Sequence, residues 1–197
     1  MKHAEQLLPV IDRLLKKEKM KLRDIDAFLI SRGPGSFTGL RIGFATLRGF
    51  LTIQPKPCYG ASSLDIIAAG IKLKKEDRKE LTVCLDAKRN RLYTRAYAHR
   101  NGVWIPRGKV RVALFDEMAR ELSVNHLVAG DGSKKISAAG HTILPEKNWA
   151  PRASTLIELF EAKSPLIKPL KHPKDLLPVY LRRSEPEEKL AEAKKHG

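Results

Sequence analysis

The stretch Ser31-Arg-Gly-Pro-Gly-Ser-Phe-Thr-Gly-Leu-Arg-Ile-Gly43 decides how this chain folds. The apolar run Ala27-Phe28-Leu29-Ile30 leads into it and reads as a short buried strand. Gly33, Pro34 and Gly35 stop that strand, and Ser36 and Thr38 are both suited to cap a helix. Leu40, Phe44, Leu47 and Leu51 then recur at helical spacing, which predicts a helix from about Thr38 to Ile53. Strand, glycine turn and helix N-terminus aim backbone N–H groups at one spot, a geometry that suits an anion. Gly33, Gly35, Ser36 and Thr38 are therefore candidate nucleotide or phosphate residues, with Arg41 in the first turn as an added charge. The same geometry also serves as a plain structural turn, and spacing alone leaves both readings open. No Gly-Lys-Ser/Thr follows, so this is not a P-loop, and Thr38 stands where a dinucleotide fingerprint needs its third glycine.

The chain has 197 residues, enough for one large or two small domains. No apolar segment approaches the length of a membrane span, and the first residues lead into an amphipathic pattern rather than a secretory core. This predicts a cytoplasmic protein with no membrane contact. Cys58 and Cys84 stand apart in apolar runs and read as reduced, buried thiols. The net charge of +16 implies attraction to polyanions, RNA among them, or simply a charged soluble surface.

Residues 4–20 form an amphipathic pattern in which Leu7, Leu8, Ile11, Leu14 and Leu15 are apolar. The stripe covers an arc of about 160°, wider than a core-facing stripe needs. Half could face this chain and half a partner helix. Pro9 inside the pattern predicts a helix that starts near it or kinks there. In the following helix Gly39 and Gly43 lie four apart, a small-residue spacing that permits close approach of another helix. Strands are then predicted at 58–60, 81–86, 91–99, 103–105 and 126–129, with helices over 64–71, 114–122 and 153–162. The charged bridge 72–80 marks a domain boundary, Leu177–Arg182 reads as an extended docking piece, and Glu185–Gly197 as a fraying tail.

Asn101-Gly102 predicts a tight hairpin that pairs His99 with Trp104. Strand alternation puts Arg91, Tyr93, Arg95 and Tyr97 on one face, which Trp104 joins. Arginine with aromatics suits single-stranded RNA, while a solvated sheet face is the plainer alternative. Keeping Arg107 and Lys109 off the core side requires a bulge at Pro106 or Gly108, or an early strand end. No metal-ligand spacing occurs among the six histidines and two cysteines, and no Gly-x-Ser-x-Gly elbow appears.

The string Gly33–Gly43 resembles the signature of the TsaB family, also called YeaZ. His3-Ala-Glu-Gln-Leu-Leu-Pro9 resembles the family's first helix, with Ala4 where serine is usual. Ser62-Ser63-Leu64, Leu85-Asp-Ala-Lys-Arg89 with Tyr93, Gly130-Asp-Gly132 and Tyr180-Leu-Arg182 also fit, although Arg91 stands where the family often has an acid. The resemblance implies an α/β chain of the actin/hexokinase-like (ribonuclease-H-like) fold in two subdomains. Residues 1–72 would be the first, lacking its N-terminal strands. Residues 81–182 would be a second, degenerate one, and 183–197 a flexible tail.

The resemblance further implies a non-catalytic scaffold subunit that binds TsaD, with TsaE, for threonylcarbamoylation of adenosine 37 in tRNA reading ANN codons. tRNA is met through the complex. Partner or homodimer contacts run through the first two helices: His3, Leu7, Leu8, Ile11, Leu14, Leu15, Gly39, Arg41 and Gly43. No metal and no strongly bound cofactor is expected, ATP or ADP being met in complex with TsaD. The family opens with three strands before this first helix, about 25–35 residues, which points to a misplaced start codon or a truncated product. Three other readings compete. They are an ATP-dependent phosphotransferase of the same superfamily using Gly33–Thr38 and Gly130–Ser133, a glycoprotease-like hydrolase, and a stand-alone RNA-binding module.

Overall fold

Two β-sheets share one helix between them. In the computed structural model the described residues are 2–75, 77, 79–122, 126–136 and 141–181. Helix α1 (Lys2–Lys17) runs straight through Pro9, which lies exposed; the missing N–H forgoes one helical hydrogen bond without ending the helix. Strand β1 (Phe28–Ser31) follows, then α2 (Phe37–Ile53), β2 (Cys58–Ala61) and α3 (Ser63–Gly70). Strands β3 (Glu80–Asp86), β4 (Arg91–Arg100) and β5 (Val103–Leu114) form an antiparallel meander. Helix α4 (Phe115–Glu121), β6 (Leu127–Ala129), β7 (Thr142–Ile143), α5 (Ala153–Glu161) and β8 (Lys168–Pro169) complete the order.

The first sheet has the order β1-β2-β8, with β1 and β2 parallel and β8 antiparallel to β2. The second has the order β5-β4-β3-β6-β7, with β6 parallel to β3 and β7 parallel to β6. Helix α3 packs on β3, β4 and β5 and also against α5. Its Leu64, Ile67 and Ala68 join Leu81, Val83, Tyr97 and Trp104 in one core. Cys84, Leu92 and Val128, from the opposite face of the second sheet, pack with Phe115 and Met118 of α4. β3 is thus covered on both faces, which explains its unbroken apolar run. Cys58 and Cys84 are free and buried, and burial pushes their thiols up to about 11 and about 12.

The segment 153–181, expected with the second unit, packs instead on the first sheet. Leu156, Leu159 and Ile167 share a core with Ala61 and Ile66, and Leu170 joins Phe44, Leu47 and Cys58. The unpredicted β8 is what brings the chain back there. The hairpin pairs His99 with Trp104 and Arg100 with Val103, as its Asn-Gly turn predicts. β5 continues to Leu114, past the expected end at 105, because one residue, Arg95, faces the three residues 108–110 where the register shifts. Gly108, at φ +72°, makes that bulge. The tail expected at 183–197 and Arg182 lie outside the described residues.

Candidate functional site

The glycine turn connects β1 to α2 as the sequence predicts. Gly33 has φ +91°, the left-handed region that favours glycine, and the carbonyl of Gly33 accepts from the Ser63 N–H (2.9 Å). The hydroxyls of Ser31 and Ser63 lie 2.7 Å apart, so the turn is fastened to the start of α3. Ser36 is the cap: its Oγ accepts from the Gly39 N–H at 3.2 Å, while Thr38 sits inside the helix. Gly35, Ser36 and Thr38 are exposed, Gly33 is buried. Arg41 does not turn to this loop. Its guanidinium lies 4.0 Å over the Phe37 ring, and its Nε donates to the Tyr180 hydroxyl at 3.4 Å. Tyr180 itself packs on Phe37 in a tilted pair with centroids 4.7 Å apart.

Helix α1 packs on α2. Leu7, Ile11 and Leu15, at helical spacing, are half-buried, whereas Leu8 and Leu14 are 54% and 56% exposed and Val10 is exposed beside them. The wide stripe is therefore covered along its centre by the chain and exposed on both flanks, Leu8 on one edge and Leu14 with Val10 on the other. On α2, Gly39 is exposed and Gly43 half-buried. A Cβ on Gly39 would meet only its own Ser36, and one on Gly43 only the tip of Ile30 at 3.9 Å. Among the described residues no helix uses the close approach those glycines permit. His3 lies in α1, its side chain outside the described set.

The face expected to meet RNA is largely interior. Tyr97 and Trp104 are buried, and Trp104 Nε1 donates to the Ile71 carbonyl at 2.8 Å. Arg95 Nη1 reaches both oxygens of Asp65, at 2.8 and 3.0 Å, and the Tyr97 hydroxyl donates to Asp65 at 2.7 Å. Arg91 is exposed and Tyr93 half-buried. Alternation misled here because α3 covers this face as α4 covers the other. The buried carboxylate of Asp65 supplies the partner that lets an arginine and a tyrosine point inward. Burial pushes the Asp65 carboxyl up, against the pull of Tyr97 and Arg95. Burial and then the Asp65 charge push the Tyr97 hydroxyl up, so it stays a donor. A lone aspartate in the apolar run Leu64-Asp-Ile-Ile67 was the available signal for this network.

The other glycine turn, Gly130–Ser133, is built on close backbone contact. Gly130 has φ +99°, and a Cβ there would sit 2.1 Å from the Cys84 carbonyl oxygen. Asp131 accepts from the Asp86 N–H at 2.9 Å. Among the described residues no group of three or more His, Cys, Asp or Glu side chains is placed to hold a metal ion. No described helix is long and apolar enough to cross a membrane.

The fold and these turns define an α/β protein of mixed sheets with an exposed two-helix face. A family model described as "TsaD: tRNA N6-adenosine threonylcarbamoyltransferase" matches residues 1–153, and the chain belongs to that family. Within it, the chain is similar to proteins named tRNA threonylcarbamoyladenosine biosynthesis protein TsaB. It is 28% identical to the one from Buchnera aphidicola (Schizaphis graminum), over 68% of this chain and 65% of that one. The Escherichia coli protein is 33% identical over 52% of this chain and 44% of its own length, and the Bacillus subtilis protein 27% over 98% and 85%. The chain thus spans less than two thirds of the Buchnera and E. coli relatives. A structure described as YeaZ from Pseudomonas aeruginosa shares the fold, with a TM-score of 0.70 at 23% identity over 92% of this chain and 86% of that one.

Proposed function

We propose that this chain is the non-catalytic partner subunit of a TsaD-type enzyme in threonylcarbamoyladenosine formation on tRNA. TsaD supplies the chemistry, TsaE joins the assembly, and tRNA is met through the complex. ATP or ADP would be bound in that complex rather than by this chain alone. The names of the TsaB relatives support the pathway. The single observation that carries the role is the exposed apolar surface on both flanks of α1, Leu8 on one and Val10 with Leu14 on the other, on a helix that packs against α2, whose Gly39 and Gly43 are only lightly covered. Burying a leucine contributes about 1.5–3 kcal/mol. The leucine pair would thus contribute several kcal/mol to a helix-on-helix interface, with Gly39 and Gly43 admitting the partner's backbone. The partner is TsaD, or a second copy of this chain in its absence.

Co-purification with TsaD tests this. Leu8→Glu combined with Leu14→Glu should abolish the complex while leaving the unfolding curve of the isolated chain unchanged, since neither side chain is in the core. Full retention of TsaD by the double variant would overturn the assignment.

A further inference from the structure

A cavity of about 360 Å³ lies between the two sheets, at the carboxyl ends of β1 and β2. Arg32, Gly60 and Lys168 of the first sheet region line one wall, and Arg95, Val110 and Pro106 of the second sheet line another. Ligands of open α/β sheets sit outside the carboxyl ends of the strands. This cavity has that position and a volume within the range of small-molecule sites.

Its charge is unbalanced. Among the described residues Asp65 is the one carboxylate lining it, and Asp65 is already engaged by Arg95 and Tyr97. Among the described residues, neither Arg32 nor Lys168 has an ion-pair partner. Asp175 lies close enough to feel the Arg32 charge but forms no ion pair with it. Moreover, Nε of Arg32 is shut off from solvent with no hydrogen-bond acceptor. Buried donors are almost always satisfied, so an orphaned one calls for a missing acceptor.

The arrangement is built rather than incidental. A Cβ on Gly60 would come within 2.7 Å of Arg32 Cγ and 2.9 Å of its Cδ, so the arginine stem lies in a groove that only glycine leaves open. Lys168 is the direct cross-strand partner of Gly60, which puts its side chain on the same face of the sheet. The backbone of Arg32 is pinned on both sides, its N–H to Ala61 and its carbonyl to the Val179 N–H. Two cations thus stand on one face, in a cavity whose lining also holds the apolar Pro34, Leu166 and Leu181.

We propose that this cleft binds a small anion, one phosphate or carboxylate group carried on a compact apolar body, with Arg32 and Lys168 holding the charged head. The guanidinium fork and the orphaned Nε suit two oxygens of one head group. This inference does not depend on the partner-subunit reading.

Amide chemical-shift titration of the full chain with phenyl phosphate, benzoate and inorganic phosphate tests it. Saturable shifts at Gly33, Gly60 and Leu181 are expected with phenyl phosphate or benzoate, the stronger of the two identifying the head group. Arg32→Gln should weaken that affinity at least tenfold and Lys168→Gln severalfold, while Lys163→Gln outside the cleft leaves it unchanged. Should Arg32→Gln fail to fold, Arg32→Lys keeps stem and charge but loses the fork, and is expected to weaken binding in the same direction. Non-saturating shifts spread over the basic surface, or equal affinity in the Arg32 and Lys168 variants, would overturn the proposal.

Discussion

The Tyr97 hydroxyl donates to Asp65 Oδ1 across 2.7 Å, and so ties the second sheet to the first turn of the helix that both sheets share. Arg95 grips the same carboxylate and also donates from Nε to the Gly108 carbonyl at 3.0 Å, which holds the β5 bulge in place. Tyr97→Phe removes one donor and leaves Asp65 with Arg95. The expected loss is about 1–3 kcal/mol in urea unfolding. Asp65→Ala strands the half-buried Arg95 and the buried Tyr97 hydroxyl together and should cost more, about 3–5 kcal/mol. Equal costs for the two would show that the carboxylate is not the centre of the network.

Gly39 separates folding from assembly. It lies in the first turn of α2, where an added Cβ would touch only its own Ser36, at ordinary contact distance, so Gly39→Ala should stabilise the isolated chain by about 0.5 kcal/mol. The same methyl group would hold a docking helix away, and TsaD binding should weaken. Both quantities moving in one direction would count against the glycine face as an interface.

Gly130→Ala is expected to behave in the opposite manner. Its Cβ would collide with backbone, the Cys84 carbonyl, and φ is already positive. A destabilisation of about 3 kcal/mol or more is expected, read from the denaturation midpoint. A soluble variant with an unchanged midpoint would contradict the close approach.

Burial lowers the His126 imidazole below the ordinary histidine value, and its Nε2 lies 2.8 Å from the Thr82 hydroxyl. An unfolded histidine titrates near about 6.5, so as the pH falls the unfolded chain takes up the proton first. The stability is complete above about 6.5 and is lost as the pH drops toward the folded value. Urea midpoints should therefore fall between pH 7.5 and 5.5, and His126→Gln, which can still bond Thr82, should flatten that slope. An unaltered slope would assign the effect to other groups.

Local signals were the legible ones. The Gly-Pro-Gly turn, the Ser36 cap and the Asn101-Gly102 hairpin each depend on a few adjacent residues, and each stands where the sequence places it. The half-burial of Leu7, Ile11 and Leu15 along the centre of the α1 stripe follows from a single helix period. What escaped notice depends on distant pairing. Nothing near Tyr97 or Arg95 announces that α3 will lay a carboxylate over them. The two-residue β8 has no periodicity to detect, yet it decides which sheet receives α5 and Ile167–Leu170. The cleft cations, Arg32 and Lys168, are far apart in sequence and meet only through a strand pairing with Gly60.

That late pairing has a consequence for synthesis. The meander β3-β4-β5 is made of neighbouring segments and can close as soon as it leaves the ribosome. The first sheet, although its β1 and β2 emerge earlier, must wait for Ile167, Leu170 and β8 before its core is filled. Until residue 170 has emerged, the first sheet stays unfinished although β1 and β2 were made before the meander, so a nascent chain stalled near residue 150 should be protease-resistant over 80–114 and sensitive over 28–61.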